Sequence, residues 1–407
     1  MDKSKFQIIK AILLSLIILV GTVAVFAQRE EYDIPRLIID GDISEMRQKS
    51  DVRNIRVEYI DGDTCFEGYA TLKVQGTSSL KYAKKNYTIN FYADEAHEEK
   101  LRVDMGWGPQ NKYCLKANWV DKTHARNIVT ANLVTEVQEK YGVLEETPAN
   151  GVIDGFPIEI YSNGKFLGLY TCNIPKDAWQ FAMDEDNPDH IVICAEGYAD
   201  TNLFYDMPNF DDWSVEVGEE SEETLEKMNR LFDFVMNSSD DEFRENAHQY
   251  LNLDAAFNYY TVARFANLID NRAKNMLLAT YDGQIWYMSL YDLDTSWGTE
   301  SNGLSEYDYK RKSISMSPVK LHQRLEDNFP AELSQRYFEL REDILTKEHV
   351  LEHFEDFRSQ IPDIVFEKEL RRWGVGIPGY DYSQIARYMN TVVSRLDMEF
   401  AQMAEKK

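Results

Sequence analysis

Three side chains with oxygen donors stand out in the second half of the 407-residue chain. Asp270 and Asn275 lie five residues apart, and Asp292 follows Asn275 by seventeen residues. Carboxylate and amide oxygens bind Mg²⁺ and Mn²⁺, and a carboxylate can also accept the proton of an attacking hydroxyl group. Phosphoryl transfer from ATP uses one such base together with two such metal ligands. The spacing therefore indicates phosphoryl-transfer chemistry.

The elements around these residues would bring them together. Residues 276–291 contain two short apolar runs joined by Asp282-Gly283, which predicts a β-hairpin. A helix is predicted over residues 253–268, immediately before Asp270. The hairpin would place Asp270 and Asn275 at its entry and Asp292 at its exit.

A lysine and a glutamate upstream could complete a nucleotide site. The strand predicted over residues 113–118 carries Lys116, and a helix predicted over residues 123–141 carries Glu136, with Asp121 and Thr123 as candidate N-caps. In protein kinases a strand lysine holds the ATP phosphates and pairs with a glutamate on the next helix. An exposed strand lysine and a solvated helix glutamate would explain the same two residues.

The segment 75–85 is a loop rich in small, hydroxyl and basic residues, and it is a candidate cover for phosphate. Glycine permits close backbone approach, and hydroxyl and ammonium groups donate hydrogen bonds to anions. A hairpin turn without a ligand would explain the glycine almost as well. Arg126, in the first turn of the helix, could also reach phosphate, although an ion pair with Asp121 is the alternative. The candidate phosphate contacts are Gly76, Ser78, Ser79, Lys85 and Arg126, with Lys84 as the alternative to Lys85.

Periodicity along the chain predicts an α+β fold. Strands dominate from Pro35 to Phe91, and a further hairpin is predicted over residues 152–174. The acidic segment 184–222 has little periodicity and is predicted to be an irregular insertion, and helices dominate after it. We expect a β-rich, nucleotide-binding N-lobe over residues 32–178 and a mostly helical C-lobe over residues 179–407.

Composition excludes one class of partner. Seventy acidic and 44 basic residues give a net charge of −26, so no excess of Lys or Arg is present to displace the counterions of phosphates. We expect no nucleic-acid binding.

The four cysteines are widely spaced without a CxxC pair, which argues against a zinc cluster. One or two disulfides are possible, but Cys114 and Cys172 lie in apolar strand patterns and are expected to be buried thiols.

Residues 1–27 resemble a signal peptide, because three lysines precede an apolar run that ends in Val25-Phe26-Ala27. Residues 8–26 are also nearly long enough for an uncleaved N-terminal anchor. Either way the chain is expected to be exported, as a secreted or cell-surface protein whose only membrane contact would be this anchor.

The sequence Asp292-Leu293-Asp294-Thr295 has three competing interpretations. A haloacid-dehalogenase-type phosphatase would need alternating strands and helices after the motif, whereas helices alone are predicted. An EF-hand beginning at Asp292 would need glycine where Trp297 stands and a bidentate glutamate where Gly303 stands. A glycosidase with paired carboxylates has no support beyond the acidic residues.

Four blocks of sequence follow one another along the chain. They are residues 73–89 with Gly76-Thr77-Ser78-Ser79 and Lys84-Lys85, residues 115–127 with Arg126-Asn127, residues 160–170 around Asn163-Gly164, and residues 270–298 with Asp292-Leu293-Asp294. Together they resemble blocks of the CotH kinase family, the spore coat protein H-like proteins, and the resemblance spans about residues 32–400. The chain departs from the family pattern at Gln75 and Thr77, and Leu268-Ile269 stand where kinases carry His-Arg.

This resemblance implies an atypical protein-kinase-like bilobal fold that binds ATP and Mg²⁺ or Mn²⁺. It would make Asp270 the catalytic base, Asn275 and Asp292 the metal ligands, and Asp294 an auxiliary acid at the metal. The expected activity is transfer of the ATP γ-phosphoryl group to Ser or Thr of an exported or surface protein. The alternative is a non-enzymatic surface, structural or adhesion protein on a degenerate kinase scaffold.

Overall fold

The computed structural model describes residues 33–62, 64–143, 151–300, 313–374 and 382–405. The predicted signal peptide or anchor, residues 1–27, lies outside these ranges. Strands and helices are both abundant, which confirms the predicted α+β class. Among the helices of the described part, none is long and apolar enough to cross a membrane.

The N-terminal part contains a closed barrel of seven strands, which the sequence did not predict. Its order is β1-β2-β3-β4-β7-β9-β8, and β1 closes it by pairing in parallel with β8, while the other neighbours are antiparallel. The short strands β5 and β6 form a separate pair. The strands up to this point are β1 (Arg36–Asp40), β2 (Val52–Asp61), β3 (Thr64–Gln75), β4 (Asn86–Tyr92), β5 (Val103–Asp104), β6 (Pro109–Gln110), β7 (Lys112–Lys116), β8 (Gly155–Ser162) and β9 (Lys165–Asn173).

Alternation of side chains explains the barrel. In β4, Tyr87, Ile89 and Phe91 are buried, while the residues between them are partly exposed. Successive side chains of a strand point to opposite faces, so every second residue enters the barrel interior. The interior is a hydrophobic core separate from the core of the rest of the protein.

The second part of the chain combines a four-stranded antiparallel sheet with most of the helices. The sheet order is β11-β10-β12-β13, formed by β10 (Ile191–Ala195), β11 (Trp213–Val217), β12 (Met276–Thr280) and β13 (Tyr287–Leu290). The helices of the described residues are α1 (Arg126–Lys140), α2 (Glu222–Asn237), α3 (Asp240–Asn246), α4 (Leu253–Phe265), α5 (Lys320–Asn328), α6 (Pro330–Arg341), α7 (Lys347–Ser359), α8 (Asp363–Trp373) and α9 (Ser383–Ala404).

The prediction that residues 184–222 are an irregular insertion is wrong. This segment supplies β10 and β11, and all five residues of β10 are buried at the centre of the sheet. A strand covered on both faces reads as a short continuous apolar run without alternation. The aspartates and glutamates on either side of β10 made this apolar run difficult to recognise in the sequence.

Both predicted hairpins are confirmed, since β8 pairs with β9 and β12 pairs with β13. The predicted helix over residues 123–141 begins later, at Arg126, and neither Asp121 nor Thr123 is its N-cap residue. The carboxylate of Asp121 nevertheless accepts the backbone N–H of Arg126 at 2.8 Å. Cys114 and Cys172 are buried free thiols, as expected.

Helix α8, near the end of the chain, packs against strand β9 of the barrel. The indole N–H of Trp373 donates to the carbonyl of Leu167 at 2.9 Å. Glu369 accepts the backbone N–H of Leu169 at 2.8 Å and binds the Lys84 ammonium at 2.7 Å. Lys84 is 2 % exposed and also donates to the carbonyls of Ala117 and Leu169. This buried ion pair fastens the barrel to the C-terminal helices.

Candidate functional site

A pocket opens where the barrel meets the loop that follows β13. Residues from the barrel, from α1 and from that loop all contribute to it, so it is built by segments far apart in sequence. Among the expected site residues, Ser79, Lys116, Asp292 and Asp294 line this pocket. The full lining is Ser79, Tyr82, Lys84, Asn86, Lys116, Asn118, Trp119, Val120, Asn127, Asp292 and Asp294.

Lys116 ends strand β7, where alternation directs Leu115 into the barrel core and Lys116 to the pocket. Its ammonium donates to the Tyr291 hydroxyl at 3.2 Å and lies 5.4 Å from the centre of that ring. Among the ion pairs of the described residues, none involves Lys116. Desolvation opposes its charge, but Tyr291 and Asp292 outweigh this and raise the pKa of Lys116. The pocket therefore contains a charged lysine without a carboxylate bound to it.

Asp292 lies on a backbone held in place by two asparagines. The side-chain oxygen of Asn127 accepts the N–H of Leu293 at 2.8 Å, and the side-chain amide of Asn271 donates to the Tyr291 carbonyl at 2.7 Å. Asp292 itself has φ 58°, in the left-handed region that aspartate and asparagine tolerate best after glycine. The three residues Tyr291, Asp292 and Leu293 are thus fixed from both sides.

Acidic side chains crowd the same place. Burial and the neighbouring carboxylates of Asp292, Asp121 and Asp270 raise the pKa of Asp294, whereas Lys116 acts in the opposite direction. The carboxylates of Asp292 and Asp294 line the same pocket, and a bound cation would relieve the repulsion between them when both are ionised. The donor set therefore suits a hard divalent ion.

Asp270 begins a short 3₁₀ turn, Asp270–Arg272, at the entrance to β12. Its carboxylate lies 3.2 Å from the Tyr198 hydroxyl and close enough to Asp294 to influence that residue's pKa. Asn275 has φ 63°, and its backbone N–H donates to the Ala195 carbonyl at 2.9 Å. Asn275 is not among the pocket-lining residues, so its role as a metal ligand stays a prediction.

The conformation of the loop after β3 depends on a glycine. A Cβ on Gly76, whose φ is 108°, would lie 1.9 Å from the Ser79 Oγ, so only glycine fits there. Ser79 lines the pocket, and its Oγ accepts the Asn86 side-chain amide at 3.3 Å. Ser78 and Ser79 both lie in the 3₁₀ turn Ser78–Lys81, but Ser78 does not line the pocket.

Two of the expected phosphate contacts have protein partners. The Lys85 ammonium donates to the carbonyls of Leu80 and Tyr82 and so holds the loop together. Arg126 is buried and forms an ion pair with Asp121, and its other terminal nitrogen donates to Gln384 at 2.7 Å. Neither lines the pocket. The adjacent lysine, Lys84, does line it, but its ammonium is bound to Glu369.

The predicted pairing of Lys116 with Glu136 is wrong. The Glu136 carboxylate contacts His349 and His353, each at 2.7 Å. Glu136 lies nine residues beyond Asn127 on α1, which is about 13 Å along a helix rising 1.5 Å per residue. Asn127 marks the pocket end of α1, so Glu136 is too far along the helix to reach Lys116.

Sequence reasoning missed the residues that position the others. Asn127, Asn271 and Tyr198 hold the loop of Asp292 and the turn of Asp270. Asn127 lies in the block of residues 115–127 and Asn271 in the block of residues 270–298. An amide that hydrogen-bonds to a backbone group, however, has no characteristic spacing in a sequence. Tyr198 lies in the acidic segment that was misjudged as irregular.

Replacing Asn127 with alanine is expected to lower the free energy of unfolding by about 1–3 kcal/mol, because the buried N–H of Leu293 would lose its acceptor. Urea denaturation would measure this loss. Asn237→Ala, at the exposed end of α2, removes an amide of the same size and should change stability by less than about 0.5 kcal/mol. Equal effects of the two substitutions would contradict the positioning role of Asn127.

Comparison with known protein families identifies a family that this chain matches. Residues 72–395 match the family described as CotH kinase protein. The match includes β4, Lys116, Asn127, the Asp270 turn and the Asp292 loop, and it covers most of the chain. A search of curated proteins finds no match.

Proposed function

The chain belongs to the CotH kinase family, and on that basis we propose that it is an atypical Ser/Thr protein kinase. It would transfer the γ-phosphoryl group of ATP to a hydroxyl group on an exported or surface protein. Lys116 provides the main support, because its charged ammonium faces a pocket that also contains Asp292 and Asp294. A cation beside a group of carboxylates is the arrangement that holds a metal-bound triphosphate.

In this proposal the chain folds into two lobes, as protein kinases do. The barrel and α1, within residues 32–178, would form the nucleotide-binding lobe, and residues 179–407 would form the lobe that carries Asp270, Asn275 and Asp292. The pocket combines residues of both, which agrees with a nucleotide held between two lobes. Ser79 and the backbone of the Gly76 loop would face the phosphates.

Asp292 and Asp294 are the residues that would hold Mg²⁺ or Mn²⁺, with Asn275 as the third donor. Both carboxylates line the pocket, and oxygen donors suit such an ion. When bound, the ion neutralises charge on the phosphate oxygens. Lys116 would bind the same phosphates from the barrel side and orient them.

Asp270 would accept the proton of the substrate hydroxyl. The carboxylate of Asp270 belongs to the turn Asp270–Arg272 and not to the loop of Asp292, so the base and the proposed metal ligands would be distinct groups. The Tyr198 hydroxyl, 3.2 Å away, would orient this carboxylate. We further propose that residues 1–27 direct export, which would place the substrate protein outside the cell or at its surface.

Replacing Lys116 with methionine is expected to weaken ATP binding by about 10- to 100-fold, because a charge-assisted hydrogen bond to phosphate is worth about 1.5–3 kcal/mol. Calorimetric titration with ATP and Mn²⁺ would measure the affinity. Lys73→Met, on an exposed position of β3, is the matched control and should bind ATP as the wild type does. Absence of nucleotide binding in the wild type would instead favour a non-enzymatic surface protein on this scaffold.

A further inference from the structure

A second group of ligand-type side chains lies away from the pocket, between α1 and α7. Glu136 comes from α1, and His349 and His353 come from successive turns of α7. The Nε2 atoms of His349 and His353 each lie 2.7 Å from a different oxygen of the Glu136 carboxylate. The two Nε2 atoms are 3.2 Å apart. Four potential ligand atoms therefore converge on one point.

This spacing suits a small transition-metal ion. Tetrahedral Zn²⁺ with bonds of about 2.0–2.1 Å to nitrogen keeps its ligand atoms about 3.3 Å apart. The two imidazole nitrogens already have that separation, and a carboxylate oxygen would need to move outward by about half an ångström. Histidines four residues apart on a helix share one face, so α7 presents both nitrogens without strain.

The environment leaves room for an ion to enter. The side chains of Glu136, His349 and His353 are 31 %, 33 % and 22 % exposed. A water molecule could therefore complete the coordination. Hydrogen bonding alone accounts less well for this arrangement. Each imidazole has its own carboxylate oxygen, but the two Nε2 atoms face each other at 3.2 Å, where two N–H donors would repel.

We propose that Glu136, His349 and His353 form a binding site for a divalent transition-metal ion such as Zn²⁺. Two imidazoles and one carboxylate favour Zn²⁺ or Co²⁺ over Mg²⁺, which prefers oxygen ligands alone. The site is therefore chemically distinct from the acidic pocket. The ion would link α1 to α7 across 213 residues of sequence.

A metal ion between α1 and α7 would also affect the candidate site, because α1 reaches the pocket. α1 carries Asn127 at its other end, and Asn127 fixes the N–H of Leu293 beside Asp292. An ion holding Glu136 would restrain the helix that carries Asn127. The metal would then have a structural role, separate from any ion that binds phosphate.

The test is Zn²⁺ titration of the full chain after removal of metals with a chelator. We expect one tight equivalent in the wild type, at least about 100-fold weaker binding in His353→Gln and His349→Gln, and no change in the exposed control His248→Gln. Asp292→Asn should keep the tight equivalent, which separates this site from the pocket. Equal Zn²⁺ binding in the wild type and His353→Gln would overturn the proposal.

Two further measurements cover the case in which the histidine variants do not fold. Saturating Zn²⁺ should raise the melting temperature of the wild type by about 2–5 °C. Co²⁺ bound to the wild type should give the intense visible absorption of a four-coordinate ion with nitrogen ligands. A wild type that binds neither Zn²⁺ nor Co²⁺ tightly would show that the three side chains form hydrogen bonds only.

Discussion

Asp292→Asn is expected to lower phosphoryl transfer by about 10³-fold or more, since stabilisation of charge on the transferring phosphoryl group is worth several kcal/mol. Asparagine keeps the size of the side chain and tolerates the φ of 58° at this position. The substitution therefore removes a carboxylate without straining the loop that Asn127 and Asn271 hold. Transfer of radiolabel from ATP to a Ser/Thr protein acceptor, in the presence of Mn²⁺, would measure the loss.

Two controls give this result its meaning. Asp241→Asn, on an exposed position of α3, should transfer phosphate at the wild-type rate. Asp270→Asn should lose transfer but retain ATP binding, because a base is needed for the chemical step and not for holding the nucleotide. Wild-type transfer by Asp292→Asn would exclude the metal role of this residue.

Glu369→Gln is expected to lower the free energy of unfolding by about 3–5 kcal/mol at pH 7, since it leaves the buried Lys84 ammonium without a counter-charge. Glutamine preserves the shape of the side chain and an acceptor for the N–H of Leu169. The loss therefore reports the missing charge and not a cavity. Urea denaturation would measure it, and Glu367→Gln, exposed on the same helix, should have little effect.

The pH dependence of this loss has a definite sign. Burial lowers the pKa of Lys84, and Glu369 partly offsets that shift. Removal of Glu369 lowers the folded-state pKa further, so the variant releases the Lys84 proton at lower pH than the wild type. Because an unfolded lysine titrates near about 10.4, the stability of the variant should rise more steeply with pH below that value. The difference between the two proteins should shrink from pH 7 towards pH 10, and a constant difference would contradict this account.

The strands and hairpins of the barrel could be predicted from sequence because each has one buried face. Periodicity predicts strands from Pro35 to Phe91, where β3 and β4 lie, and a hairpin over residues 152–174, where β8 pairs with β9. Closure of the barrel could not be predicted, since it depends on β1 pairing with β8, more than a hundred residues away. Local periodicity carries no information about such a pairing.

In the candidate site, too, some features could be predicted from the sequence and others could not. Lys116, Ser79, Asp292 and Asp294 meet at one pocket. The sequence indicates Lys116 and Asp292 by their chemistry and their positions beside strands and Ser79 by its loop, whereas the family resemblance indicates Asp294. Glu136 was selected by analogy with the kinase lysine–glutamate pair, and the geometry of α1 takes it elsewhere. Lys84 and Lys85 could not be distinguished, because the partner that separates them, Glu369, comes from α8. The partners of Glu136 and Lys84 are set by contacts between distant segments, which local sequence patterns do not reveal.

The bond between Lys84 and Glu369 also bears on how the protein can be made. The two residues are 285 positions apart, so at about 5–20 residues per second a ribosome needs roughly 15–60 s to synthesise the second after the first. From the completion of β9 at Asn173 until Glu369 is made, the barrel would hold the Lys84 ammonium without the carboxylate that pairs with it in the folded protein. A fragment ending before α8 would remain in this unfinished condition, because α8 lies within about the last tenth of the polypeptide.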